Sequence, residues 1–135
     1  MRLPKPDYKK EARAKKLWKL STADSKFSNF IRERDGKCLK CGRSDRQLQC
    51  SHFWDRQHYS TRFDPDNCIT LCAWCHNLGP DNWEQDRYGE YREFMKNRLG
   101  KKFEELEKKH IEDIRNPYKK RKAIVECKVL LKAID

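Results

Sequence analysis

The sequence predicts an α+β, mostly helical fold built on a small zinc-stapled core, and three observations predict it. Two Cys-x-x-Cys knuckles, Cys38-Leu-Lys-Cys41 and Cys72-Ala-Trp-Cys75, have thirty residues between them. Four thiolates in two tight turns are the ligand set of a closed, tetrahedral structural zinc site. Between the knuckles two short runs read as strands, while helical periodicity dominates both flanks. The chain of 135 residues is 39% charged and only 36% hydrophobic, so its core is modest, and a metal staple is a usual remedy for that.

Taken in order, residues 1–8 hold two prolines and read as an extended arm, and 9–20 as a basic helix with Leu17, Trp18 and Leu20 to bury. Ser21-x-x-Asp24 resembles a capping box and starts a second helix, with Phe27, Phe30 and Ile31 on one face and Gly36 as its left-handed stop. Residues 46–53 and 67–71 are the expected strands. A helix is expected from Cys72, cut short by Gly79-Pro80. Tyr91, Phe94, Met95 and Leu99 fall at helical spacing, and Phe103, Leu106, His110 and Ile114 continue a stripe. Asn116-Pro117 is the expected start of the last helix, whose buried face is Ile124, Cys127, Leu131 and Ile134. The division is a basic arm over 1–20, a zinc-stabilised domain over 21–100 and a helical extension over 101–135.

The net charge of +11 sits at the two ends. Residues 1–20 carry eight Lys/Arg against two acids and 115–135 carry seven against two, which leaves 21–114 neutral. A neutral body with basic ends is the footprint of a protein that grips phosphate backbones, although lysine-rich solvated helix faces produce the same count. The seven cysteines are odd in number, and no apolar stretch follows the opening Met-Arg-Leu-Pro-Lys, so neither a signal peptide nor a membrane span is expected. Reduced, cytoplasmic, metal-binding cysteines are the expectation. Cys50 and Cys68 are expected to pack in the hairpin and Cys127 on the apolar stripe of the last helix.

Three more residues stand in register with the knuckles: His52 at the end of the first strand, Asn67 at the start of the second, and His76 directly after Cys75. A histidine serves as a general base because its free pKa of about 6.5 is near working pH. An asparagine amide on the partner strand can orient it. His76, anchored by the zinc turn, would present its imidazole to a cation. In the loop 54–63 aromatic and basic residues interleave, which suits stacking on unpaired bases and arginine–phosphate pairing, or else a loop packed on the zinc core by Trp54 and Phe63. Arg56 and Arg62, with Lys15, Lys16 and Lys19 of the basic run, are the expected DNA contacts, Arg62 foremost because it lies nearest Asn67.

With these residues in place, the segment 38–76 resembles an HNH (ββα-metal, treble-clef-like) nuclease whose two CxxC pairs hold hairpin and helix together. More narrowly, Ser51-His52-Phe53, the run Ser60 to Asn67 (STRFDPDN), Cys72-x-x-Cys75-His76 and Tyr91-Arg-Glu-Phe-Met…Arg98-Leu-Gly100 resemble the phage NinG (Rap) recombination proteins over about residues 15–110. The resemblance implies a divalent-metal-dependent endonuclease that nicks branched recombination intermediates such as D-loops and Holliday junctions, working in the host cytoplasm. It places His52 as general base, His76 at the catalytic Mg²⁺ or Mn²⁺, and Asn67 in an orienting or metal-side position. One departure is Ser51, where many HNH nucleases have Asp or His as a metal ligand. The cation would then rest on His76, Asn67, phosphate and waters, with Asp55, Asp64 or Asp66 as candidates to complete its shell.

The competing expectation is a zinc-dependent nucleic-acid-binding module that does not cut, and a third is an interaction scaffold using the C-terminal helices. Knuckles and basic ends suit the first two equally; two histidines and an asparagine beside the zinc site favour the enzyme. A homodimer would suit symmetric junction cutting, with an interface on helix 117–134, but burial of that stripe against its own domain explains it equally well.

Overall fold

The computed structural model describes residues 17–134, and the arm, Lys15 and Lys16 lie outside them. The described elements are α1 (Leu20–Asp35), β1 (Leu48–His52), a short α2 (Tyr59–Arg62), a 3-10 turn (Pro65–Asn67), β2 (Cys68–Cys72), a single wide π turn (Trp74–Leu78), α3 (Glu90–Leu99), α4 (Lys101–Arg115) and α5 (Lys120–Ile134). Among the described residues no helix is long and apolar enough to cross a membrane.

β1 and β2 pair antiparallel, with Leu48 opposite Cys72 and His52 opposite Cys68. The period of two along each strand divides the molecule. Cys50, Cys68 and Thr70 face α1, where Phe27, Ile31 and Phe63 pack with Ala123, Ile124 and Cys127 of α5. Ser51, Ile69 and Leu71 face the other way, into Phe53, Trp83, Tyr91, Met95, Phe103 and Leu106. One small hairpin thus serves two cores, a sheet filling between two helical layers.

Local signals decide most helix ends. Gly36 stops α1 at φ +70°, where its N–H donates to the Arg32 carbonyl. The capping box at Ser21 does not form: the N-cap is Lys19, two residues earlier, and the Asp24 carboxylate is held by Arg62. A long-range charged pair outcompetes the local cap. The basic helix expected over 9–20 is absent from its described part, since 17–19 have no regular structure, although Leu17, Trp18 and Leu20 pack against the α1–α5 core.

The helix expected from Cys72 is the five-residue π turn, closed by the Gly79 N–H donating to Trp74 O at 2.8 Å. A Cβ at Gly79 would lie 2.7 Å from that carbonyl and 2.8 Å from the Trp74 ring, so only glycine closes the turn. α4 buries Phe103 and Leu106 as expected, but Ile114 is 61% exposed and its neighbour Asp113 is buried. Asp113 accepts the backbone N–H groups of Ser60 and Tyr118, each at 2.8 Å, and so ties α2 and the approach to α5 onto α4. With Asp113 capping Tyr118, α5 begins at Lys120 rather than at Pro117, and its Ile124–Cys127 face is buried against α1.

Candidate functional site

The four knuckle cysteines come together: the sulfurs of Cys38, Cys41, Cys72 and Cys75 all lie within 4.8 Å of one another. In each knuckle the N–H of the second cysteine donates to the sulfur of the first at 3.5 Å, Cys41 to Cys38 and Cys75 to Cys72. Amides aimed at sulfur favour thiolate over thiol. Burial raises the Cys72 thiol, yet the Cys75 amide and neighbouring donors outweigh it and bring Cys72 down to about 6. Cys75 is pushed up by burial and by the three sulfurs around it, as expected when like-charged groups share one site. Four converging sulfurs fit a tetrahedral zinc ion held as a structural staple.

Beside this cluster, along the free edge of β1, runs a groove of about 630 Å³ lined by His52, His76, Asp55, Arg56, Glu84 and Arg87, with Gln49 and Cys50 on its floor. The groove brings together two of the three residues singled out in the sequence. The His52 Nε2–H donates to the carbonyl of Arg62 at 2.8 Å, which leaves Nδ1 with the free lone pair. Burial, aided by the nearby Arg56 and Arg62 cations, holds His52 down to about 4, so the ring is neutral at pH 7. His76 projects from the π turn, and its Nδ1–H donates to Gln49 Oε1 at 2.7 Å, which leaves Nε2 free. It too is lowered by burial. A neutral imidazole with one nitrogen tied to an oxygen acceptor is the state that ligates metals or accepts protons.

Asn67 does not reach the groove. It is fully buried, Oδ1 accepts the Trp54 N–H at 2.9 Å, and Nδ2 donates to the carbonyls of Trp54 (2.9 Å) and Thr61 (3.0 Å). Buried away from the groove, with both amide hydrogens and one Oδ1 lone pair engaged, it does not meet a cation held there, which removes the metal-side role. Its orienting position is indirect: it fixes the backbone two residues after His52 and that of Thr61, one residue before the carbonyl that accepts from His52. Ser51 is likewise turned away, its hydroxyl sharing a buried 2.8 Å hydrogen bond with Tyr91. Of the acids considered as further ligands, Asp55 alone lines the groove; Asp64 is held by Lys109 at 2.7 Å and by the Asp66 N–H.

Arg62, expected as the leading phosphate contact, is a structural residue. Its Nε and Nη2 make a bidentate pair with Asp24 at 2.9 and 2.6 Å, and Nη1 donates to the Arg56 carbonyl. Bidentate geometry with few free donors leaves little for phosphate. Arg56 is exposed in the groove, and Lys19 is exposed at the start of α1. Trp54 is buried on the side of the zinc cysteines and stacked on His110 at 3.9 Å, as the packed-loop alternative has it, whereas Phe63 is buried in the other core, against α1. The large exposed aromatics lie elsewhere, Trp74 at 52% and Tyr88 at 72%.

The sequence reading missed Gln49, Glu84 and Arg87. Gln49 was legible in principle, since it stands two residues before Ser51 on the strand leading to His52. Glu84 and Arg87 follow Gly79-Pro80 in a stretch without periodicity, and only tertiary folding brings them to the groove. Set against family models, curated proteins and solved structures, the chain matches none.

Proposed function

We propose that this chain is a divalent-metal-dependent HNH endonuclease that hydrolyses phosphodiester bonds in branched DNA, in the manner of the NinG proteins it resembles. In that reading β1, β2 and the π turn are a ββα-metal core in which the helix is reduced to one turn, and the four cysteines hold structural zinc. The observation that carries it is the pairing of His52 and His76 across one groove, each neutral and each with a different ring nitrogen free.

His52 Nδ1 takes the proton of the attacking water, and Nε2–H on the Arg62 carbonyl keeps the ring in the tautomer that makes this possible. Asn67 fixes both ends of that arrangement without touching substrate. Arg56 and Arg87 line the groove and hold the phosphate, Arg87 Nη1 lying 3.9 Å from the Asp55 carboxylate. A Mg²⁺ or Mn²⁺ ion would be held by His76 Nε2, with phosphate oxygens, waters and the Asp55 or Glu84 carboxylates, and would stabilise charge on the phosphate and leaving oxygen. Exposed Trp74 and Tyr88 offer faces for unpaired bases near a branch point.

The test is His52→Ala against His76→Ala on duplex, flap, D-loop and four-way-junction DNA. His52→Ala is expected to lose 10²–10⁴-fold in cleavage, the usual worth of a general base, while binding junctions with unchanged affinity. His76→Ala is expected to regain activity in part at raised Mn²⁺, and His52→Ala is not. Wild-type cleavage by folded His52→Ala would remove His52 as the base, and wild type that binds these DNAs but cleaves none of them with Mg²⁺ or Mn²⁺ would replace this reading with that of a DNA-binding module.

A further inference from the structure

The α1 side of the hairpin carries a second group of metal-ligating side chains, of which the mechanism above uses His52 alone. Two sulfurs, of Cys50 and Cys68, and a ring nitrogen of His52 all lie within 4.8 Å of one another. The strand register builds this group: His52 is directly opposite Cys68, and Cys50 stands two residues before His52 on the same face. We propose that Cys50, His52 and Cys68 form a second, open metal site that takes a thiophilic cation of the Zn²⁺ class.

Donor chemistry and shape support it. Two thiolates and an imidazole neutralise and soften the site for zinc, unlike the oxygen-rich shells that Mg²⁺ and Ca²⁺ require. Tetrahedral zinc at its usual bond lengths sets neighbouring ligand atoms roughly 3.5–3.8 Å apart, so donors that all lie within 4.8 Å of one another need to close by at most about 1.3 Å, within reach of side-chain rotation. The Nε2–H of His52 is already anchored on the Arg62 carbonyl, the outer hydrogen bond a metal-bound histidine characteristically makes. That anchor leaves Nδ1 as the ligating nitrogen. Cys68 is fully buried, whereas Cys50 and His52 line the groove, so the fourth coordination position opens towards the groove. A disulfide is the poorer use of the same cysteines: diagonal residues of an antiparallel pair sit roughly 7–8 Å apart at Cα, beyond the usual 4.4–6.8 Å span of a disulfide.

Occupation has a consequence that rests on the nuclease reading: zinc and the attacking water's proton would compete for the same lone pair of His52, so zinc at this site would stop hydrolysis. The full chain, its four-cysteine site first filled with one equivalent of zinc, is titrated with Co²⁺, which ranks below zinc in affinity and leaves the filled site intact. The expected result is a second bound equivalent with a thiolate-to-cobalt charge-transfer band in the near ultraviolet. Cys50→Ser and His52→Ala, both changes at half-buried positions outside the knuckles, should each weaken that binding at least tenfold. No charge-transfer band, or a band unchanged in Cys50→Ser, overturns the site. The consequence is read separately: a second equivalent of zinc should slow junction cleavage by wild type at least tenfold and leave Cys50→Ser cleaving. Failure of that arm alone, with the band present, discards the inhibitory role and keeps the site.

Discussion

Asn67 and Trp54 exchange two hydrogen bonds of 2.9 Å, side chain to backbone in both directions, inside a site from which water is excluded. The pairing makes one amide the common brace of the two chain segments that position His52. Asn67→Ala would leave the buried N–H and carbonyl of Trp54 without partners, at about 1–3 kcal/mol for each group, and would take one of two donors from the Thr61 carbonyl, which keeps the Asp64 N–H at 3.3 Å. We expect a loss of stability of at least about 2 kcal/mol in urea unfolding, with an unchanged slope. His52→Ala should lose far less. Equal losses in the two variants would show that Asn67 does not act as the brace.

Arg56 and Arg62 stand six residues apart and should behave oppositely. Arg62→Ala breaks a bidentate pair that is nearly out of solvent and leaves Asp24 uncompensated, at a cost of about 2 kcal/mol. Its DNA affinity, once folded, should keep the wild-type salt dependence. Arg56→Ala should leave stability within about 0.5 kcal/mol and reduce the slope of log K against log salt by about 1. A reversed pattern would return Arg62 to the phosphate.

The pH dependence follows from burial of His52. Its folded value of about 4 lies below the unfolded value of about 6.5, so the unfolded chain binds the proton first. Stability is therefore unaffected above pH 6.5 and falls as pH drops from 6.5 to 4, by on the order of 3 kcal/mol in all. His52→Gln should flatten the wild-type stability profile across that window. In cleavage, the acid limb of kcat/KM should fall near pH 4 to 5 rather than at 6.5, since that profile reports the free enzyme. A limb at 6.5 would mean that His52 is not the base.

The knuckle cysteines should be inseparable from folding. A structural site contributes its binding free energy to folding, and chelation removes it. Cys41→Ser keeps shape but removes a thiolate at the most exposed corner of the cluster. We expect both Cys41→Ser and chelator-treated wild type to lose cooperative thermal unfolding, and zinc to restore only the latter. A chelated protein that still melts cooperatively at the same temperature would remove the staple.

What the sequence determined by itself was whatever short-range spacing controls. Two CxxC turns bring each cysteine pair together locally, and the short runs 46–53 and 67–71 set strands whose register then joins the two turns. Gly36, Gly79 and the apolar stripes of Phe27 and Ile31, and of Ile124 and Cys127, act through neighbours a few residues away, and their consequences are visible in the chain alone. Tertiary structure decided how the polar side chains were used. Asp24 left its cap for Arg62 across 38 residues, Asp113 was buried in place of Ile114 because two backbone amides, one of them 53 residues away at Ser60, needed an acceptor, and Asn67 was absorbed by the backbone of its own loop. A charged or amide group has several partners of similar strength within reach, and burial selects among them by penalising whichever would be left unsatisfied. That selection depends on every segment packed nearby, so Arg56 remained in the groove and Arg62 did not, and a strand residue, Gln49, became the partner of His76.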